Sequence, residues 1–165
     1  MIFNSKKHSI NLYNTLLTLS RNIFFYKEIK LLDTFETRVY LMFFHFSILM
    51  KIFKKKGFKF DQGAYDSLFH NIENNLRELG FGDVSVNKKM KDMNKLLYDI
   101  LLKIDENERN KFKINKKLAI KYFNELNDGK DEKYLKFETY FGNFYNFCFD
   151  KPLDNVLRDA IKFRN

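Results

Sequence analysis

Apolar residues recur along most of this chain at intervals of three and four, the spacing that places them on one face of an α-helix. The most regular series follows Asp33-Thr-Phe-Glu36 and consists of Phe35, Val39, Met42, Phe46, Leu49 and Phe53. The remaining face of this segment is also apolar, with Tyr40, Leu41, Phe44 and Ile48. We therefore predict a central helix that other helices surround.

The two ends of this segment carry signals that start and stop a helix. Asp33 and Glu36 are predicted to form a capping box at its N-terminus. Three lysines, Lys54 to Lys56, suit the negative end of the helix dipole, and Gly57 follows at the expected cap position.

Similar patterns predict helices at residues 7–19, 61–79, 83 or 85 to 104, 106–126 and 132–147, and a short helix after Pro152. Gly80 ends the 61–79 segment, and Asn127-Asp-Gly129 marks a break. One proline and six glycines provide few of the signals that strands and tight hairpins need. The chain is predicted to be all-α, a single-domain bundle of about six or seven helices over residues 1–165.

Composition indicates a core built largely from phenylalanine, because 20 Phe and 9 Tyr occur in 165 residues without any Trp. The most apolar run, residues 39–50, has 12 residues and includes His45. A bilayer-spanning helix needs about 20 apolar residues. We interpret the run as a buried core helix in which His45 has its hydrogen bonds satisfied.

Residues that could act as catalytic groups or metal ligands are few and lie far apart in the sequence. His8, His45 and His70 fall in three separate elements, and Cys148, the single cysteine, lies among phenylalanines as a packing residue. No phosphate-binding glycine loop or nucleophile elbow occurs. We expect no enzymatic activity, metal, cofactor or small-molecule substrate.

Net charge is +9, which favours anionic partners. The candidate contacts to an anionic surface are Lys54, Lys55, Lys56, Lys88, Lys89, Lys91 and Lys95. Such a surface could be a ribosome or an anionic membrane. A basic helical nucleic-acid-binding protein is the alternative function that this charge leaves open.

The segment from Asn75 to Lys91 carries a specific string, NLRELGFGDVSVNKKMK, in which a helix ending in Leu-Arg-Glu-Leu-Gly meets a Gly-Asp turn and a lysine-rich helix start. Upstream, Ser20-Arg21 and Phe25-Tyr26 precede Asp33-Thr34 with Arg38. These features resemble the ubiquinol-cytochrome c chaperone family, and the motif-rich part covers residues 13–104. Asn87 departs from the family pattern, in which proline is frequent at this position.

The resemblance implies an assembly chaperone that binds newly made cytochrome b and assists biogenesis of respiratory complex III. It also implies a small helper subunit as a candidate partner. The chain lacks the long N-terminal extension of mitochondrial members, and its N-terminus resembles neither a signal nor a transit peptide. We therefore expect a bacterial-type member that is cytoplasmic or bound peripherally to the inner membrane.

The motif residues are candidates either for partner binding or for a structural hinge: Asp33, Arg38, Arg77, Glu78, Gly80, Phe81, Gly82, Asp83 and Val86. In the structural interpretation, Gly80 and Gly82 provide positive φ angles, Asp83 caps the next helix, and Arg77 bonds to Asp83 or to buried carbonyls. In the functional interpretation, an exposed Phe81 at the tip of the turn anchors a client.

Overall fold

The computed structural model describes residues 5–106 and 111–165. Its α-helices are α1 (Ser5–Ser20), α2 (Ile23–Lys27), α3 (Phe35–Lys55), α4 (Gln62–Glu78), α5 (Asp83–Lys103), α6 (Lys116–Tyr122), α7 (Glu132–Phe149) and α8 (Leu153–Asp159). Short 3-10 turns follow α6 and α8, at Asn124–Leu126 and Ala160–Lys162. Within the described ranges the only β pairing is an isolated bridge between Asp105 and Ile114. The all-α prediction is confirmed.

Helix α3 occupies the centre of the bundle, as the apolar residues on opposite faces of its middle turns predict. It packs against α1, α5, α7 and α8, and α4 packs on α1 and α5. Twelve of its 21 residues are buried. A helix that is apolar on all sides has no face suited to water, so the other helices must cover it.

Phenylalanine side chains fill the space between α2, α3 and α7. The Phe25 ring lies 4.6 Å from that of Tyr140, and Phe44 lies 5.8 Å from Phe141, centroid to centroid. Phe137 contacts both Phe44 and Phe141 at 5.9 and 4.8 Å. Most of these pairs are edge-on or tilted, the arrangements that aromatic quadrupoles favour.

His45 lies fully buried within this aromatic cluster and has both ring nitrogens bonded. Its Nδ1 is 2.6 Å from the Leu41 carbonyl oxygen, which can only accept, so Nδ1 carries the proton. Nε2 then accepts from the Tyr140 hydroxyl at 2.8 Å. Burial lowers the pKa of His45 to about 4, so the ring is neutral at physiological pH. The predicted satisfied core histidine is confirmed.

The predicted C-terminal cap of α3 is confirmed, whereas its N-terminal cap differs from the prediction. Gly57 has φ of +80°, and the amides of Gly57 and Phe58 donate to the carbonyls of Lys54 and Phe53, a Schellman closure. At the N-terminus the cap is Thr34, which accepts from the Thr37 amide at 3.1 Å.

The predicted capping box of Asp33 and Glu36 is therefore wrong. Counting from Thr34, Glu36 stands at the second helical position, whereas the box requires a carboxylate at the third. Asp33 instead accepts two hydrogen bonds from the Arg38 guanidinium, at 2.7 and 3.0 Å. The two parallel bonds of this Arg–carboxylate pair are charge-assisted and occupy both oxygens of the Asp33 carboxylate.

The predicted helix at residues 106–126 is also corrected, while residues 107–110 lie outside the described residues. Glu106 and Lys113 pair through an antiparallel backbone bond of 2.9 Å, and Asn115 then caps α6 through the Leu118 amide. A satisfied cap at Asn115 starts a new helix there and shortens the predicted segment.

The other predicted helices lie close to their predicted positions, and the short helix α2 (Ile23–Lys27) was not predicted. Gly129, with φ of +77°, stands in the break before α7, and α8 begins directly after Pro152. Cys148 is buried, and burial raises the pKa of its thiol to about 12, as a packing role requires. His70 is exposed. Across the described ranges, no helix has the length and hydropathy needed to cross a bilayer.

We expect the free energy of unfolding to depend on pH through His45. The folded state holds this ring neutral down to about pH 4. The unfolded chain protonates it near pH 6.5. The contribution of His45 to stability should therefore be constant above about pH 6.5 and fall by about 3 kcal/mol as the pH is lowered to 4. Urea denaturation at a series of pH values measures this.

His45→Gln should flatten the pH dependence between pH 6.5 and 4, even if it lowers stability overall. The matched control is His70→Gln, which removes an exposed imidazole and should retain the wild-type profile. An unchanged slope in His45→Gln would contradict the assignment.

Candidate functional site

The turn between α4 and α5 carries most of the predicted site residues, and backbone hydrogen bonds determine its shape. The Gly80 amide donates to the Arg77 carbonyl at 3.0 Å, and the Phe81 amide donates to the Leu76 carbonyl at 3.3 Å. Gly80 has φ of +95°, the left-handed conformation that this closure requires. The predicted role of Gly80 is confirmed.

Gly82 and Asp83 differ from their predicted roles. Gly82 has φ of −76° and ψ of 168°, ordinary extended backbone, and occupies the N-cap position of α5. Asp83 is the first helical residue and makes no capping bond. Its carboxylate accepts from Arg77, so the acidic side chain links α5 to the end of α4.

Arg77 joins the two helices through its two terminal nitrogens. One donates to Asp83, and the other donates to Glu73 one turn earlier on α4 at 3.1 Å. Both carboxylates raise the pKa of Arg77. The predicted bond between Arg77 and Asp83 is confirmed, and the guanidinium is committed to structure.

Apolar side chains around this turn divide between core and surface. Val86 is fully buried, whereas Leu79 and Phe81 are 60% and 38% exposed. The Lys89 ammonium lies 4.7 Å from the centre of the Phe81 ring, a cation–π contact. Phe81 is thus exposed at the turn, the condition that the client-anchor interpretation requires.

Asp33 and Arg38 form a second charged pair at the start of α3. The Arg38 guanidinium holds the pKa of Asp33 below its ordinary value, and Asp33 raises that of Arg38. Tyr26 lies beside this pair, and its hydroxyl donates to the Ser20 carbonyl at 2.6 Å. The opening motif residues therefore pack together and connect α1, α2 and α3.

A groove of about 430 Å³ lies between α1, the first turns of α3 and the end of α4, and we call it the Arg38 groove. Its lining residues are Tyr13, Leu17, Arg21, Phe35, Arg38, Val39, Met42, Ile72, Asn75, Glu78 and Leu79. The Asn75 amide donates to the Tyr13 hydroxyl and links α4 to α1. The volume falls within the range of about 300–1,000 Å³ typical of binding clefts.

The Arg38 groove brings together parts of the motif that are 40 residues apart in the chain. Arg38 and Glu78 both line it, while Asp33 reaches it only through Arg38. Its formal charges balance in number, since Arg21 and Arg38 are matched by Glu78 and Asp33, of which Arg38 and Asp33 form an ion pair. The rest of its wall is mainly apolar, with Leu79 exposed at the rim.

Some groove residues were not predicted as site residues. Leu17, Met42 and Ile72 follow the helical period and are indistinguishable from core positions in sequence. Arg21 belongs to the motif segment, but its sequence neighbours are uncharged. No charge pattern therefore marks it as a site residue. Their convergence depends on how α1 packs against α3 and α4.

The lysines at the end of α3 differ in whether they can contact a partner. Lys54 and Lys55 are exposed. Lys56 donates to the Lys151 carbonyl at 2.8 Å and lies 4.9 Å from the Phe149 ring. Lys56 therefore anchors the end of α3 to α7 and the residues that follow it.

The lysines of α5 are more open. Lys88, Lys91 and Lys95 are exposed, and Lys89 is half-buried against Phe81.

No group of three or more potential metal ligands converges in residues 5–106 and 111–165.

Fold and groove together define an all-α bundle with an apolar, charge-balanced cleft between three helices. The chain belongs to the ubiquinol-cytochrome c chaperone family, because the family model described as "Ubiquinol-cytochrome C chaperone" matches residues 27–135, well over half of its length. This span includes both charged pairs and the α4–α5 turn. Chaperones of this family are generally non-enzymatic. Comparisons with curated proteins and with solved structures found no match.

Replacing Gly80 by Ala should destabilise the protein by about 1 kcal/mol. Nothing lies within 4 Å of the added Cβ, so the cost comes from forcing a side chain into a positive-φ conformation. Gly142→Ala is the matched control, because Gly142 lies inside α7 with open space around it. That substitution should stabilise by about 0.5–1 kcal/mol. Chemical denaturation of both variants measures the difference, and equal effects would contradict the role of Gly80.

Proposed function

We propose that this protein is an assembly chaperone that binds newly made cytochrome b and assists the biogenesis of respiratory complex III. The family match supports the chaperone class. The Arg38 groove is the observation that carries the proposal of client binding, because it combines an apolar wall with balanced charge.

Electrostatics favour this groove over the basic surfaces as the client site. Cytoplasmic loops of membrane proteins are rich in Lys and Arg. A chain with net charge +9 repels such loops wherever its own cations are uncompensated. At the groove, Asp33 and Glu78 offset Arg38 and Arg21, so a basic loop next to an apolar segment meets little repulsion.

The apolar part of the groove suits a membrane-protein client for a second reason. Before insertion and assembly, such a client exposes side chains that water disfavours, and burying one large aliphatic side chain contributes about 1.5–3 kcal/mol. Leu79 at the rim and the half-buried Leu17 and Phe35 on the wall provide the complementary surface. In this proposal the Arg77 contacts hold the turn so that Leu79 stays at the rim.

The site of action that fits this proposal is the cytoplasm or the cytoplasmic face of the inner membrane in a bacterial-type cell. Newly made cytochrome b emerges there before it enters the bilayer. A small helper subunit is a further partner that the family resemblance implies. The proposed activity is holding, with no reaction.

Leu79→Glu should lower recovery of crosslinked cytochrome b from the native cell at least about tenfold, because it places a charge on the apolar rim. The melting temperature should change little, since the side chain is 60% exposed. Recovery is measured by crosslinking, affinity purification and quantitative mass spectrometry.

The control is Leu135→Glu, which changes a leucine of similar exposure, 55%, in a different cleft beside α7. This variant should recover cytochrome b like the wild type. Equal losses in both variants, or a loss in Leu135→Glu alone, would refute the groove as the client site. Enrichment of RNA in place of cytochrome b would favour the basic nucleic-acid-binding alternative.

A further inference from the structure

One face of α5 is exposed along nearly the whole helix. Residues spaced by four, three, four, three and four lie within about 40° of one line on the helix surface. We call this set the α5 stripe, and it consists of Val84, Lys88, Lys91, Lys95, Tyr98 and Leu102. Every member is exposed. The buried residues of the helix, Val86, Leu97 and Ile100, lie on the opposite side, where α5 packs against α3 and α4.

The three lysines of the α5 stripe are uncompensated. Among the described residues, no carboxylate lies within ion-pair distance of Lys88, Lys91 or Lys95. Other lysines near this helix are paired, since Lys103 and Lys121 both bond to Asp99, at 2.6 and 2.7 Å. Asp92, also exposed, flanks the stripe and offsets only part of its charge.

Large apolar side chains stand at both ends of this basic segment. Val84 is 86% exposed at one end, and Tyr98 and Leu102 are 57% and 77% exposed at the other. A surface that binds RNA phosphates needs cations, and exposed aliphatic side chains add nothing to such contacts. The bilayer interface suits both groups, because aliphatic side chains enter the acyl boundary while lysine ammonium groups reach the headgroups.

We propose that the α5 stripe docks this protein onto an anionic lipid bilayer, with α5 lying parallel to the membrane surface. The stripe is about 27 Å long from Val84 to Leu102. Three lysines meet lipid phosphates, and the apolar ends enter the boundary between headgroups and acyl chains. This docking does not depend on which client the Arg38 groove binds.

The test is flotation of the purified protein with vesicles. Vesicles of phosphatidylethanolamine and phosphatidylglycerol should bind it, and vesicles of phosphatidylcholine alone should not. The triple variant Lys88→Gln, Lys91→Gln, Lys95→Gln should weaken binding to the anionic vesicles at least about tenfold. Raising the salt concentration should weaken wild-type binding as well. Circular dichroism verifies that the variant remains helical.

The matched control is the triple variant Lys59→Gln, Lys117→Gln, Lys130→Gln, which removes the same charge from exposed positions outside α5. It should retain most of the vesicle binding. An equal loss in the two triple variants would refute the proposal, because net charge alone would then explain the affinity.

Leu102→Ser separates lipid from RNA as the anionic partner. It should weaken vesicle binding severalfold and leave binding to a single-stranded homopolymer RNA unchanged, because RNA offers no acyl layer into which the exposed leucine could insert. Vesicle binding that is unaffected by Leu102→Ser, combined with RNA binding that depends on the α5 lysines, would overturn the proposal in favour of RNA.

Discussion

Burial of α3 is the constraint on which the rest of this structure depends. Twelve of its 21 residues are buried, including the polar His45 and Ser47. A helix of this kind is unstable in water by itself, since most helical stability in proteins comes from packing. The hydrogen bond between His45 and Tyr140 also connects α3 to α7. It gives the buried imidazole the partner that its Nε2 atom needs.

A rigid aromatic centre places the functional surfaces at the ends and outer faces of the surrounding helices. The Arg38 groove forms where α1 and α4 meet the first turns of α3. The Arg77 bonds to Glu73 and Asp83 join α4 to α5 at the adjoining turn. Three charged motif residues, Arg38, Arg77 and Asp83, therefore make ion pairs at helix ends. Their energetic contribution is modest at the surface, but their geometry determines where Leu79 and Phe81 are presented.

Charge is distributed unevenly over this protein, although the net value of +9 describes the whole chain. Asp33 pairs with Arg38 beside the groove, which Arg21 and Glu78 also line, while three lysines on α5 have no ion-pair partners among the described residues. A client with basic loops and an anionic bilayer are opposite electrostatic partners. An uneven distribution of charge of this kind is what the two proposed interactions require.

Sequence alone determined the helical class, the central position of α3, the closures at Gly57 and Gly80, and the packing roles of His45 and Cys148. These follow from periodicity and backbone chemistry, which act over a few residues. Competing local bonds misled the sequence interpretation at Asp33, where Arg38 displaced a cap, and at residues 106–126, where Asn115 started a new helix. Only the tertiary structure decided that Arg38 and Glu78 share a groove and that the α5 lysines lack partners. Both depend on side chains from distant segments, which become neighbours only when the helices pack.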